Sequence, residues 1–533
     1  MAFKKDGKDI SDFKSSNKSI NYTKISGSHE FQDEEQFVET KLYKRRWLIL
    51  MVFVLYAASS FMQWFQYSII SNVIESYYSV SSWAVKLTSM IFMLTYLPLA
   101  FPVSYFMDKL VRFHDLRISA LIGVTGTAFG SWVKVFSVAP TRFPVTFAGQ
   151  TIIALSQLFI INVPPKLAAV WFGESEVSSC SIAIWGSQFG IASGFFLSPL
   201  LVTNSESFES IGSDLFNMFL YIAIFATVMT VAVIAVFQAR PAVPPSHAQA
   251  ILILTPEKNP SYLHSLKKLL LDRDFIFLFT SNGINNGCFS ALSTMLNQIF
   301  LFYFPDGQID PGTVGVIIVV GGMIGSVVCG AIMDKTKGYK EVAFAVYFLA
   351  AVTMVGYTFA LMSPNKMVIY GLAWTLGFFL LGYTPVGYEF ASELTYPESE
   401  VTVAAILNTM NMLAGILFTV VFDFTFEWYG EFWSNIAAAV TLVLGTALTV
   451  MIRPNLKRQK AQKMRNDTIG LRVVIDNDKY DCPHSYGDQE RERLVDGGLL
   501  SFPAGISRHS PLPRFLPTPH TYFLRRTSSP SFL

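Results

Sequence analysis

The chain has 533 residues, and it holds few charged residues, few cysteines and few histidines. Each shortage excludes something. Charged residues make up only 15%, where soluble domains carry roughly a quarter, while 52% are hydrophobic. That balance leaves too little polar surface for a water-soluble protein of this size and implies a polytopic membrane protein. A net charge of +2 provides no general attraction for nucleic acid. The four cysteines (Cys180, Cys288, Cys329 and Cys482) follow neither a disulfide framework nor a zinc spacing. All seven histidines (His29, His114, His247, His264, His484, His509 and His520) lie outside the apolar runs. A histidine-ligated haem path through a membrane is therefore unavailable. The apolar runs hold no Ser–His or metal constellation, and the chain shows no phosphate-cradling glycine loop, so neither an enzyme nor a cofactor is expected. Residues 1–42 hold no apolar stretch of signal-peptide length, and insertion must rely on the first membrane span.

What the chain does have is apolar runs of about 20 residues, the length that crosses a bilayer. Twelve are expected, near 47–74, 86–107, 117–138, 144–168, 178–202, 216–238, 274–303, 312–333, 341–362, 367–391, 401–424 and 434–453. Basic residues cluster in alternate loops: Lys44, Arg45 and Arg46; Lys109, Arg112 and Arg117; Lys267, Lys268 and Arg273; Lys335, Lys337 and Lys340; Arg453, Lys457 and Arg458. The opposite set holds mostly Lys86, Arg142 and Lys366. By the positive-inside rule both termini are cytosolic, and the sequons at Asn17 and Asn21 stay unglycosylated.

Spans two and eight end alike, in Phe106-Met107-Asp108-Lys109 and Ile332-Met333-Asp334-Lys335, 226 residues apart. The same shift carries the start of span one onto the start of span seven. An all-α membrane protein of two six-helix halves related by a parallel repeat follows. The expected organisation is a disordered cytosolic segment over 1–42, a first half over 43–238, a linker over 239–273, a second half over 274–455 and a disordered tail over 456–533. The stretch from Gly330 through Asp334 and Lys335 to Gly338 and Lys340 resembles the G-x-x-x-D-R/K-x-G-R/K signature of the major facilitator superfamily. In the first copy Ser104 replaces the glycine. Asp108, Lys109, Asp334 and Lys335 are expected to lock the cytosolic side by charge pairing, with Glu389 and Glu393 of span ten as further gating candidates.

In such a fold a solute binds near mid-bilayer between the halves. Ser60, Trp64, Tyr67 and Ser71 form a helical stripe on span one, and polar groups facing lipid would be costly. A mid-membrane tryptophan offers an aromatic face to a cation, although a lone one also serves plain packing. On span five, Gly186, Gly190 and Gly194 suit close helix packing. Gln188 points away from that face, toward the cavity or toward a neighbouring helix. The 226-residue shift carries Trp64 onto Ser290, beside Phe289, and Gln188 to the neighbourhood of Asn411 and Met412. These residues form a candidate ring around one site.

The run Gln63-Trp64-Phe65-Gln66-Tyr67-Ser68-Ile69-Ile70-Ser71-Asn72 resembles the first helix of the feline leukemia virus subgroup C receptor family of facilitator transporters. So do Val170-Trp171-Phe172-Gly173, the segment from Ala291 to Asn297, and the segment from Gly387 to Glu400; the similarity spans about 43–455. The resemblance implies facilitated transport of choline and ethanolamine, with haem export as an alternative, and no cofactor. It implies that Trp64 supplies a cation–π face, Gln188 orients the hydroxyl and Phe289 adds a wall. Ser290 stands where the family's choline carriers have Tyr, and Met412 where they have Gln, with Asn411 or Tyr67 available to compensate. The expected partners are a small solute and the lipid bilayer, with the chain taken as a monomer. The plasma membrane is the default location, with endoplasmic reticulum or mitochondria as alternatives. A non-transporting sensor that uses the same cavity is the reading from a different class.

Overall fold

The computed structural model describes residues 21–23, 38–113, 116–161, 163–172, 180–205, 207–238, 240–243, 245, 267–398 and 400–461. Residues 1–21 and 39–457 belong to one compact unit, which contains every helix named below. The second unit comprises residues 22–38 and 458–533, of which 22, 23, 38 and 458–461 are described. Most of the expected N-terminal segment, linker and C-terminal tail thus lies outside the described residues. Asn21–Thr23 and Val38–Thr40 are three-residue strands.

The helices are α1 (Arg45–Phe65), α2 (Ser71–Tyr78), α3 (Ser82–Phe113), α4 (Leu116–Val135), α5 (Phe143–Ile161), α6 (Val163–Trp171) and α7 (Cys180–Leu201). They continue with α8 (Phe208–Val236), α9 (Arg273–Tyr303), α10 (Asp310–Thr336), α11 (Tyr339–Leu361), α12 (Lys366–Thr395), α13 (Glu400–Tyr429) and α14 (Glu431–Met451). Among the described residues, ten helices are long and apolar enough to cross a membrane. The twelve expected spans are reached only by adding α7 and α9, which have 22 and 31 residues. In α9 the middle turns carry Asn282, Asn285 and Asn286, which lower its apolar character.

Arg45 donates to the carbonyl of Val236 at 3.1 Å, and Asp274 accepts from the Arg453 amide at 3.0 Å. Each half therefore starts and finishes at the same end, here called the base. Asp272 caps α9 by accepting from the amides of Asp274 and Phe275, and it pairs with Lys457 at 3.2 Å.

The expected span 47–74 is not one helix. α1 stops at Phe65, a turn at Gln66 and Tyr67 follows, Ser68–Ile70 is a 3-10 turn, and α2 starts at Ser71. The cause is capture of the carbonyls that a continuous helix would use. Gln150 donates to the Gln63 carbonyl at 2.6 Å, and Ser89 donates to the Trp64 carbonyl at 3.1 Å. Those two oxygens would otherwise accept from the amides of residues 67 and 68. Interruptions of this kind arise where a side chain enters the i→i−4 ladder.

The glycine stripe on α7 does what its spacing implies. A Cβ on Gly186, Gly190 or Gly194 would lie 2.9, 2.6 or 2.4 Å from the carbonyl oxygen of Val54, Ala58 or Met62, so the two backbones touch. In the second half, α9 and α13 approach the same way, through Gly283 against Met410 and Gly287 against Ala414. Gly190→Ala should therefore lower the melting temperature of the purified protein despite alanine's better helix propensity. Gly371→Ala, where an added Cβ meets nothing within 4 Å, should leave it unchanged or raise it.

Candidate functional site

Trp64 occupies the last turn of α1, just before the interruption. It is 6% exposed and sits in an aromatic stack. Its ring centroid lies 5.2 Å from Phe65 at an interplanar angle of 5°, and 5.6 Å from Phe92 of α3 at 18°. Phe61 adds a tilted ring at 5.9 Å. The indole Nε1 is buried and has no hydrogen-bond partner among the described residues. With so little of the ring exposed, a solute reaches its face only when a neighbouring ring, such as Phe92, moves aside.

Phe92's neighbour Met93 carries the contact into the other half. A Cβ on Gly415 of α13 would lie 2.7 Å from the Met93 sulfur and 3.4 Å from Ser290 Cβ. Trp64 and Ser290, joined in sequence only by the repeat, therefore belong to one layer. Phe289 is buried beside Ser290 at 7% exposure.

The remaining candidates lie in a second layer. Because Gly186, Gly190 and Gly194 meet Val54, Ala58 and Met62 in turn, Gln188 is level with Tyr56, about 12 Å nearer the base than Trp64 by helical rise. It is half-buried, and its Oε1 has no hydrogen-bond partner among the described residues. The same register logic in α9 and α13 places Asn411 and Met412 level with Ile284 and Asn285, below Ser290. Asn411 meets Asn282 amide to amide at 2.9 Å, and Asn282 is the position that the repeat pairs with Tyr56. Met412 packs against Tyr96, Ala100 and Leu158. The candidates thus form an upper aromatic layer and a lower amide layer rather than one ring.

Tyr67 faces away from this space. It is fully buried within the first half, bonded through its hydroxyl to Thr146 at 3.0 Å and edge-on to Phe219. The helical stripe assumed an unbroken span, and the interruption after Phe65 turns Tyr67 out of register.

The gating candidates also fall differently from expectation. The side chains of Asp108 and Lys109 lie outside the described residues. Asp334 is exposed and pairs locally with Lys337 at 3.7 Å, and Lys335 is exposed. Glu389 is exposed, whereas Glu393 is buried at 4% and accepts from Tyr339 at 3.3 Å inside the second half.

Contacts that join the halves appear at the end opposite the base. Asn297 of α9 donates to the Ile69 carbonyl at 2.8 Å and accepts from Ser71 at 2.9 Å. Gln298 donates to Ser82, and Asn72 donates to Gln308 at 3.4 Å. Lys86 and Asp423 form an ion pair with only 3% and 5% of their surface exposed. These groups border a cavity of about 370 Å³ that also receives Glu75 and Glu427.

Comparison with known proteins fits this geometry. The model for the Major Facilitator Superfamily matches residues 52–419. The choline/ethanolamine transporter flvcr2b of Danio rerio is 40% identical, covering 83% of this chain and 90% of that protein. The human choline/ethanolamine transporter FLVCR2 is 41% identical, covering 79% and 80%. The chain belongs to the feline leukemia virus subgroup C receptor family of the major facilitator superfamily. It is a multi-pass membrane transporter of a small solute. Solved structures agree in fold. The E. coli fucose:proton symporter FucP in its outward conformation aligns with a TM-score of 0.55 at 13% identity, over 77% of this chain and 99% of that one. An inward-facing bacterial homologue of the human lysosomal transporter Spinster aligns with a TM-score of 0.58 at 12% identity, over 77% and 97%.

Sequence reasoning passed over several of these residues. Lys86 and Asp423 are 337 positions apart, and nothing in the sequence near either one points to the other. Gln157 lies seven residues beyond Gln150, on the same face of α5; it is 2% exposed, and its amide nitrogen has no hydrogen-bond partner among the described residues. Lys134, inside an expected span, carried a usable signal, since an ionisable residue within the membrane is a functional candidate by default. Asp423→Asn would strip buried Lys86 of its partner, a change worth about 3–5 kcal/mol when a buried pair is broken. The expected result is faster labelling of a Ser71→Cys reporter by a membrane-impermeant maleimide, reversed by the charge swap Lys86→Asp with Asp423→Lys.

Proposed function

We propose that this chain is a facilitative carrier for choline- and ethanolamine-like amino alcohols, working by alternating access with both termini in the cytosol of a plasma-membrane-resident protein. The observation that carries the reading is the buried Trp64 stack at the interruption of the first span, whose indole N–H has no partner among the described residues. A tryptophan face attracts a quaternary or primary ammonium, and the attraction strengthens once water is excluded. The lower layer supplies neutral amides (Gln157, Gln188 and Asn411), which suit a hydroxyl and ask no second charge of the solute. The named activity of the Danio rerio and human relatives supports the same solute class.

In this reading the end carrying Asn297, Lys86 and Asp423 is the outer one, and the conformation is closed to the outside. Ser290 and Met412 leave the second half without an aromatic wall and one amide that choline carriers of the family hold there. Trp64 then carries most of the cation recognition. A desolvated cation–π contact contributes roughly 2 kcal/mol, or about thirtyfold in affinity. Inward movement of one positive charge gains about 2.3 kcal/mol per 100 mV of membrane potential.

The test is uptake of labelled choline and ethanolamine into cells expressing wild type or Trp64→Ala, at normal and collapsed membrane potential. Saturable, potential-sensitive uptake that falls at least about tenfold in the variant is expected, with Trp64→Phe retaining part of it. No uptake by wild type present at the cell surface would contradict the amino-alcohol reading. Binding without flux would favour a sensor.

A further inference from the structure

Lys134, near the far end of α4, is 1% exposed and lies inside a membrane-crossing helix. Its ammonium donates to Gln63 Oε1 at 3.1 Å and to Gln150 Oε1 at 3.0 Å. It lies 4.8 Å from the centre of the Tyr67 ring and 5.4 Å from that of Phe219. The amide orientations are fixed independently. Gln63 Nε2 donates to the Ser59 carbonyl, Gln150 Nε2 donates to the Gln63 carbonyl, and Ser131 Oγ touches both ends of the Gln63 amide. Both amide oxygens are therefore left to face the lysine. Burying a cation is expensive, and a methionine would fill similar space without that cost. What methionine cannot do is hold two amide oxygens and two aromatic faces at once.

The two first-span groups that Lys134 grips, Gln63 of α1 and Tyr67 of the turn after it, stand on either side of Trp64 and of the point where the helix stops. Gln150, which it also holds, is the side chain that captures the Gln63 carbonyl and helps to break the helix. Beyond the break, Ile69 and Ser71 are held by Asn297 of the other half. We propose that Lys134 is a positioning residue for solute recognition: an internal ammonium that clips the interruption of the first span to α4, α5 and α8 and so fixes the aspect of Trp64. This rests on the transport reading above.

The sign of the effect separates positioning from plain charge. Removing a positive charge favours a cationic solute electrostatically, so a loss of apparent affinity on neutralising Lys134 must come from lost positioning. The experiment compares wild type, Lys134→Met, Gln63→Leu and the double variant in choline uptake normalised to surface protein. Lys134→Met should raise the half-saturating concentration about tenfold while maximal rate per surface molecule changes less than about twofold. The double variant should be no worse than the poorer single one, as for two residues acting through one contact. An unchanged or lowered half-saturating concentration, or effects that multiply, would overturn the proposal. If Lys134→Met does not reach the surface, Gln63→Leu carries the same expectation and the same contradiction. A second readout needs no solute: hydrogen–deuterium exchange of purified protein over residues 63–70. Exchange there should quicken in the variants while residues 434–446 of α14 stay unchanged, and unaltered exchange over 63–70 would sink the clip. Lack of choline uptake by wild type would count against the amino-alcohol reading alone, leaving the exchange result to decide the clip.

Discussion

Everything in the centre of this transporter depends on the first span being broken after Phe65. A helix that ran on would point Ser60, Trp64, Tyr67 and Ser71 along one stripe. Instead, Gln150 and Ser89 take the carbonyls of Gln63 and Trp64, and the chain re-forms a helix only at Ser71. The break separates functions that a continuous helix would merge. Trp64 stays in the aromatic layer, Tyr67 is folded into the first half, and Ile69 with Ser71 reaches across to Asn297. One span is thereby tied to both halves within a few residues. A shift of one half relative to the other has to break the contacts with Asn297, because Tyr77 and Tyr78 of α2 hold the segment beyond the break to the Val138 and Ser137 carbonyls of the first half.

Charge is used sparingly and in two distinct ways. Lys86 and Asp423 are a pair whose members come from different halves, so separating the halves exposes both to water and changes the balance between desolvation and attraction. Such a pair favours closure without making it irreversible. Lys134 has no carboxylate against it among the described residues and relies on amide oxygens and ring faces, the same chemistry that suits a small ammonium solute. The central layers themselves present aromatic rings and neutral amides. A cationic solute then meets attraction from polarisable faces rather than from a fixed anion, which permits release on the other side.

The parts legible from sequence were those with a short-range or periodic signature. The 226-residue repeat brings Trp64 and Ser290 to corresponding places in the two halves, with Phe92, Met93 and Gly415 between them. The spacing of Gly186, Gly190 and Gly194 correctly marked a backbone contact. What escaped depends on partners distant in sequence. No local pattern says that Ser89 and Gln150 will remove two carbonyls from α1, and the stripe argument therefore misplaced Tyr67. Nor does one loop charge announce another 337 positions away. Gln188 was assigned to the level of Trp64, whereas the α1–α7 register puts it two turns lower, level with Tyr56. Glu393, a gating candidate by sequence, is buried by Tyr339 and the packing of α11 on α12.

The central claim is that transport requires the Ile69–Ser71 segment to part from Asn297 and rejoin it in each cycle. Replacing Ser71 and Asn297 by cysteine, at positions whose side chains now meet at 2.9 Å, permits a direct test. Oxidising the pair in cells should abolish uptake of labelled solute, and reduction should restore it, while each single variant transports under both conditions. Undiminished uptake with the cross-link shown to have formed would contradict the account.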